Sequence, residues 1–231
     1  MKERPISFSP MLIQQIKDGN KTMTRRRITL PDYLSDVADI FFDPLNGCWL
    51  LSDNVKDFPL GNINCPYGEP DDVLWIREEH MIYHSGNDWY CEFRDGTIIH
   101  KYFKQLPLTT LQNLMKRKTL GKWQRARFLP KAFARTWLKI TEIRVEQLTE
   151  ISADDAVREG IEQLPSWPEA TDKKIYKLYN WPESAGEAAT FVPISSFYTL
   201  WCSIYGDRAV IENPWVWVVT FEPIINPKSN G

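Results

Sequence analysis

Between Gly96 and Thr141 the chain carries no aspartate or glutamate. Within that stretch fall Lys101, Lys104, Lys116, Arg117, Lys118, Lys122, Arg125, Arg127, Lys131, Arg135 and Lys139. A run of uncompensated cations draws a polyanion by Coulomb attraction and by releasing the counterions that the polyanion holds. Aromatic residues are interleaved with the charges: Tyr102, Phe103, Trp123, Phe128, Phe133 and Trp137. Cations hold phosphates while flat rings stack on unpaired bases, so the combination suits single strands and splayed-out nucleotides. The pattern predicts an RNA, DNA or nucleoside partner, with Lys116, Arg117, Lys122, Arg125, Arg127, Lys131 and Arg135 as contact residues. The competing account is that Phe128, Phe133 and Trp137 fill the core while the charges keep a loop solvated.

Two other places carry groups with chemical potential. After Gly19 comes Lys21-Thr22-Met23-Thr24-Arg25-Arg26-Arg27-Ile28, which as a strand sets Thr22, Thr24, Arg26 and Ile28 on one face. In Val73–Glu79, Leu74, Ile76 and Glu78 alternate with Val73, Trp75 and Arg77, so the Glu78 carboxylate continues an apolar face. Glu79 falls on the opposite face. His80 and His84, with Cys91 nearby, make a weak metal candidate, because two imidazoles without a clear third ligand fall short of a site. No metal and no cofactor are expected.

The elements that must position these groups are short. Ser9-Pro10 opens a helix of two to three turns that Gly19 ends, with a strand at Pro5–Phe8 before it. Tyr83–Tyr102 reads as a hairpin turning at Asp95-Gly96, and Thr109–Lys118 as a short basic helix. Trp137–Leu148 is a long strand whose apolar parity slips near Thr141, which predicts a bulge or bend. Ser152 caps a helix that Gly160 closes, and Ser195 or Ser196 is expected to cap another that stops at Gly206. Trp215–Phe221, apolar on both faces, is a buried final strand. Short strands between turns, with a few small helices, predict an α+β or mainly-β barrel in a single domain over residues 1–231.

Composition narrows the setting. The 231 residues are 43% hydrophobic with a net charge of −2, a near-neutral total that hides the basic stretch. No run approaches the ~18–20 apolar residues of a membrane span. The first ten residues lack the apolar core of a signal peptide. Cys48, Cys65, Cys91 and Cys202 follow no C-x-x-C spacing, so neither a disulfide framework nor a zinc ribbon is indicated. A cytoplasmic protein with no membrane partner is expected.

Several segments together resemble the ASCH family of the PUA-like superfamily, in particular its phage- and prophage-encoded members. Gly19-Asn20-Lys21-Thr22-Met23-Thr24-Arg25-Arg26 is similar to that family's Gly-x-Lys-Thr-x-(Thr/Glu)-x-Arg element. Gly68-Glu69-Pro70-Asp71-Asp72-Val73-Leu74-Trp75-Ile76-Arg77-Glu78 resembles its Gly-Asp-x-Leu-Trp-Val-Arg-Glu strand. The likeness continues through Phe128–Arg135, the unit ending at Gly160, and the closing Asn213–Val219 strand. Residues 29–65 and 162–192 look like insertions relative to the smallest members.

The resemblance implies a PUA-like β-barrel with a cleft for RNA or a nucleoside. It also implies a choice of activities, since small bacterial members remove the acetyl group of N4-acetylcytidine and others are described as ribonucleases. The positions matching the amidohydrolase residues are Lys21, Thr24 and Glu78. Amide hydrolysis needs an activated nucleophile, a proton for the leaving amine and help for the oxyanion. In that scheme Lys21 relieves the Thr24 hydroxyl of its proton, Glu78 protonates the leaving nitrogen, and Arg26, flanked by Arg25, binds a phosphate or carbonyl oxygen. Exchanging the duties of Lys21 and Glu78 fits equally well. The alternatives are a non-catalytic RNA- or DNA-binding module and a ribonuclease of the same fold.

Overall fold

The computed structural model describes residues 1–30, 37–53, 59–165, 173–180 and 188–227. In chain order the first elements are β1 (Glu3–Ser7), α1 (Pro10–Lys17), β2 (Met23–Arg27), β3 (Asp39–Asp43), β4 (Cys48–Ser52) and β5 (Gly61–Ile63). There follow β6 (Val73–Arg77), β7 (His80–Ser85), β8 (Asp88–Phe93), β9 (Ile98–Tyr102), α2 (Leu108–Met115) and β10 (Trp123–Gln124). The chain closes with β11 (Trp137–Gln147), α3 (Ala153–Arg158), β12 (Gln163–Leu164), β13 (Ile175–Lys177), β14 (Ala189–Thr190), α4 (Pro193–Tyr205) and β15 (Trp215–Ile224). The fold is mixed α+β, and none of the sheets formed by the described strands closes on itself into a barrel.

The chain divides into two compact units, each assembled from separated stretches. Met1–Ile13, Asp71–Lys139 and Pro223–Gly231 build the first; Gln14–Pro70 and Ile140–Glu222 build the second. Because both are discontinuous, no Pro- or Gly-rich linker marks a boundary in the sequence.

In the first unit β1 pairs in parallel with β6, and the opening residues of β11 pair antiparallel on the other side of β6. With a neighbour on each edge, β6 is buried along Val73, Leu74, Trp75 and Ile76. A second sheet runs in the order β10-β7-β8-β9. The expected hairpin is thus extended by one strand, because Gly86, at a positive φ of 58°, turns β7 into β8 ahead of the Asp95-Gly96 turn. One face of this sheet packs Ile82, Trp89, Cys91 and Phe93 against Leu111 and Leu114 of α2 and against Leu129 and Phe133. The other face carries Tyr83, Tyr90 and His100 directly opposite one another across β7, β8 and β9. Their rings stack at 5.2 and 5.0 Å, so their apolar faces cover each other.

In the second unit β15 pairs antiparallel with β2, setting Arg26 against Trp217 and Thr24 against Val219. Ser152 caps α3 by accepting from the Asp155 amide at 3.1 Å, and Gly160 follows with a φ of 80°. Helix α4 starts earlier than its serines suggested, at Pro193, whose missing N–H costs nothing in a first turn. Ser196 therefore lies inside the helix, buried, and its hydroxyl donates to the Lys177 carbonyl at 2.6 Å. The described parts of the two supposed insertions are not featureless: β3-β4-β5 and β12-β13-β14 are small antiparallel sheets. Residues 31–36, 54–58, 166–172 and 181–187 of those segments lie outside the described residues. In β11, Thr141 and Glu142 are both exposed, so the inside–outside alternation slips where a bend was expected.

Candidate functional site

The basic stretch lies in the first unit, and its eleven cations divide sharply by partner. Lys131 pairs with Glu3, Lys139 with Asp71 at 2.7 Å, and Arg135 with Glu78 and Asp95. The other eight, Lys101, Lys104, Lys116, Arg117, Lys118, Lys122, Arg125 and Arg127, have no carboxylate partner among the described residues. Six of them are exposed, and Lys101 and Arg117 are half-buried. Most cluster where α2 ends and along the following loop, residues 116–127. There no carboxylate among the described residues neutralises them.

Within this region is a recess of about 320 Å³ lined by Thr110, Asn113, Leu114, Arg117, Arg127, Phe128, Leu129, Pro130 and Lys131. Helix α2 supplies one wall, with Thr110 and Asn113 one turn apart on the same face. The turn Ala126–Phe128 and the residues after it supply the other. Arg117 is held across the recess by one N–H to the Phe128 carbonyl at 3.0 Å. Burial pulls the Arg117 guanidinium below the ordinary arginine value, as expected for a cation shielded from water with no anion beside it. The Arg127 guanidinium lies 4.8 Å from the Phe128 ring centre, within cation–π range.

The interleaved aromatics separate into two kinds. Phe133 and Trp137 are buried and belong to the core, as the competing account of the sequence held. Tyr102, Phe103 and Phe128 remain exposed. Trp123 is half-buried and covered by the Arg94 guanidinium at 3.9 Å.

Lys21, Thr24, Arg25 and Arg26 are in the second unit, Glu78 and Arg135 in the first. Lys21 is 1% exposed. Its ammonium donates to the Met23 carbonyl at 2.8 Å, the Glu159 carbonyl at 2.6 Å and the Glu159 carboxylate at 2.9 Å. An ammonium has three protons, and three acceptors meet them. Burial pulls the Lys21 pKa below the ordinary lysine value, Glu159 opposes that pull, and Arg26 and Arg25 add to it. Thr24 is buried in β2. Arg25 sits against three carboxylates: Glu146 at 2.5 Å, Asp155 at 2.9 Å and Glu159 at 3.3 Å. Burial disfavours its charge, yet those acids outweigh the cost and raise its pKa. Arg144 binds Glu146 and Asp155 from outside, completing a network of alternating sign. Arg26 is half-buried, close enough to Tyr67 for its charge to act on that phenol, whose pKa burial raises.

In the first unit Glu78 is 6% exposed and takes two bonds from Arg135, Nε to Oε1 at 2.9 Å and Nη2 to Oε2 at 2.5 Å. Arg135 also reaches Asp95 and lies 4.1 Å from the Phe93 ring centre. Burial works against its charge, but the two carboxylates prevail and hold its pKa above the ordinary value. His80, on β7 next to this pair, is fully buried with its Nδ1 3.0 Å from the Glu78 carbonyl. Burial lowers its pKa, which disfavours the charged ring. His84 is four residues along the same strand, about 13 Å away at strand rise, and packs on Trp89. Among the described residues no group of three His, Cys, Asp or Glu could hold a metal ion.

Glu146, Asp155 and Glu159, the acids that hold Arg25 and Lys21, were not among the residues singled out from the sequence. Only Glu159 had a local clue, its place just before the helix-ending Gly160. No helix among the described residues is long and apolar enough to cross a membrane. Comparison with protein-family models, with curated proteins and with solved structures gives no match.

Proposed function

We propose that this protein is a nucleic-acid-associated member of the ASCH branch of the PUA-like class, with a PUA-like barrel as its underlying architecture. Its first unit binds the phosphate backbone of RNA or DNA. The observation that carries this reading is the set of eight cations between Lys101 and Arg127 that have no carboxylate partner among the described residues. Buried Arg25 and Lys21 and the half-buried Arg135 are each held by carboxylates. The eight cations of this stretch lack that neutralisation among the described residues, which points to a partner from outside. Crowded like charges also repel one another, a cost that polyanion binding removes. Such binding is salt-dependent, with the logarithm of affinity falling by about 0.7 per contacted phosphate for each logarithmic unit of salt on single strands. Titrating a labelled oligonucleotide over a salt series tests it. Replacing Lys116, Lys118 and Lys122 with Gln should shallow that slope by about 2. Salt-independent binding, or a slope unmoved by the triple variant, would remove the reading.

Deacylation of N4-acetylcytidine or a similar modified nucleoside is the second reading. What favours it is the downward pull of burial on the Lys21 pKa, the direction a basic amine requires. Against it, all three ammonium protons of Lys21 are engaged by protein acceptors.

A further inference from the structure

We infer that the recess between α2 and residues 126–131 receives one unpaired nucleotide, its phosphate against Arg117 and Arg127 and its base at Phe128. This inference rests on the nucleic-acid reading and narrows it to single strands and strand ends. At about 320 Å³ the recess lies at the lower end of the range of small-molecule sites, more room than a phosphate alone needs. A duplex presents its phosphates but keeps its bases stacked inside, and only an unpaired residue can deliver sugar and base into such a space.

The lining matches each part of that ligand. Arg117 spends one N–H on the Phe128 carbonyl, which anchors one end of its guanidinium at the recess. Arginine carries five donors in a planar fork, and those of Arg117 that remain have no carboxylate among the described residues to bind. Arg127 stands beside it, equally without a carboxylate partner among the described residues. Its guanidinium and the Phe128 ring form a layered surface, and Phe128 remains 44% exposed, an apolar ring left facing water. A base laid against that surface gains stacking and cation–π attraction together. Leu114 and Leu129 give an apolar floor suited to a ribose carbon face. Thr110 and Asn113 place a hydroxyl and an amide on the α2 wall, and neither side chain has a hydrogen-bond partner among the described residues. Each can donate and accept, the equipment for meeting a sugar hydroxyl or a base edge. Lys131 is already held by Glu3, which leaves the two arginines as the phosphate ligands.

The test is fluorescence anisotropy at low salt with a short labelled single strand and its duplex, using DNA and RNA versions of each. Unlabelled adenosine 5′-monophosphate and adenosine serve as competitors. The single strand should bind about tenfold or more tightly than the duplex, and the monophosphate should compete where the nucleoside does not. Arg117→Gln should weaken single-strand binding about tenfold, the scale of a charge-assisted contact, while leaving duplex binding within about twofold. Asn113→Ala, on an exposed helix face that tolerates alanine, should lower monophosphate competition without disturbing the fold. Lys101→Gln with Lys104→Gln, outside the recess, should weaken both forms alike. Equal binding of single strand and duplex, no competition by the monophosphate, and an Arg117→Gln effect no larger than the Lys101/Lys104 control would overturn the inference and leave polyanion binding standing. No binding of any oligonucleotide or of the monophosphate would overturn both.

Discussion

A methyl group built on Gly160 would lie 2.7 Å from the Cβ of Lys21, closer than side-chain carbons ever sit. The two residues meet because Lys21 forms an isolated bridge with Glu159, which draws the end of α3 onto the residues ahead of β2. Gly160 also has a φ of 80°, which disfavours any side chain. The glycine thus leaves room for the buried lysine stem, and the lysine in turn neutralises Glu159.

Gly160→Ala should lower stability by about 1–3 kcal/mol or more, since backbone strain and steric overlap act together. Gly121→Ala is the control: its φ is 72°, but nothing lies within 4 Å of the added carbon. Only the backbone cost applies there, about 1 kcal/mol. Urea midpoints of the two variants separate the close approach from the torsion. Equal losses would mean that the contact with Lys21 relaxes freely.

Lys21→Met keeps the apolar stem and removes the ammonium. It strips Glu159 of one of its two cations and leaves two buried carbonyls without their donor. A loss of about 3–5 kcal/mol is expected, the range for breaking a buried pair from one side. The same preparations decide the second functional reading. We expect the parent protein to release no cytidine from N4-acetylcytidine. Release by the parent, abolished in folded Lys21→Met, would instead establish deacylation.

Arg135 and Glu78 should behave as a structural pair. Arg135→Ala leaves a carboxylate buried without its counter-charge and should cost about 3–5 kcal/mol. Arg135→Lys retains the charge but loses the two-pronged geometry and the planar contact with Phe93, so an intermediate loss is expected. Thermal midpoints order the three proteins. A lysine variant as stable as the parent would show that charge alone suffices.

Acid should loosen the network around Arg25. Burial raises the Asp155 pKa, but the hydrogen bond from Arg25 and the charges of Arg144, Arg25 and Arg158 outweigh it and hold the carboxyl below the ordinary aspartate value. The folded state therefore binds this proton less readily than the unfolded chain. Stability from Asp155 is complete above the unfolded value of about 3.9 and drains away as pH falls through the lower folded one. Asp155→Asn should be less stable at neutral pH and should flatten the dependence on pH below about 4. Denaturant midpoints from pH 7 to the acid limit test this. An unchanged acid slope would place the sensitivity elsewhere.

Much of the local structure was legible because its causes are local. Ser9-Pro10 starts α1 with the serine accepting from the Leu12 amide, and Ser152 caps α3. The unbroken apolar run Val73–Ile76 is a strand flanked on both edges. The stretch from Gly96 to Thr141, free of acids, was equally plain in the sequence. Tertiary structure alone decided which charges are used up. Lys21 finds Glu159 across 138 residues, Arg25 finds Glu146 across 121, and Arg135 finds Glu78 across 57. No spacing rule reaches that far, because such partners meet only when strands pair and helices dock. The same packing buried Phe133 and Trp137 and left Phe128 exposed, though all three look alike in the sequence. A residue's type fixes what it can do; whether it faces a carboxylate, the core or water depends on which distant segments the fold brings against it.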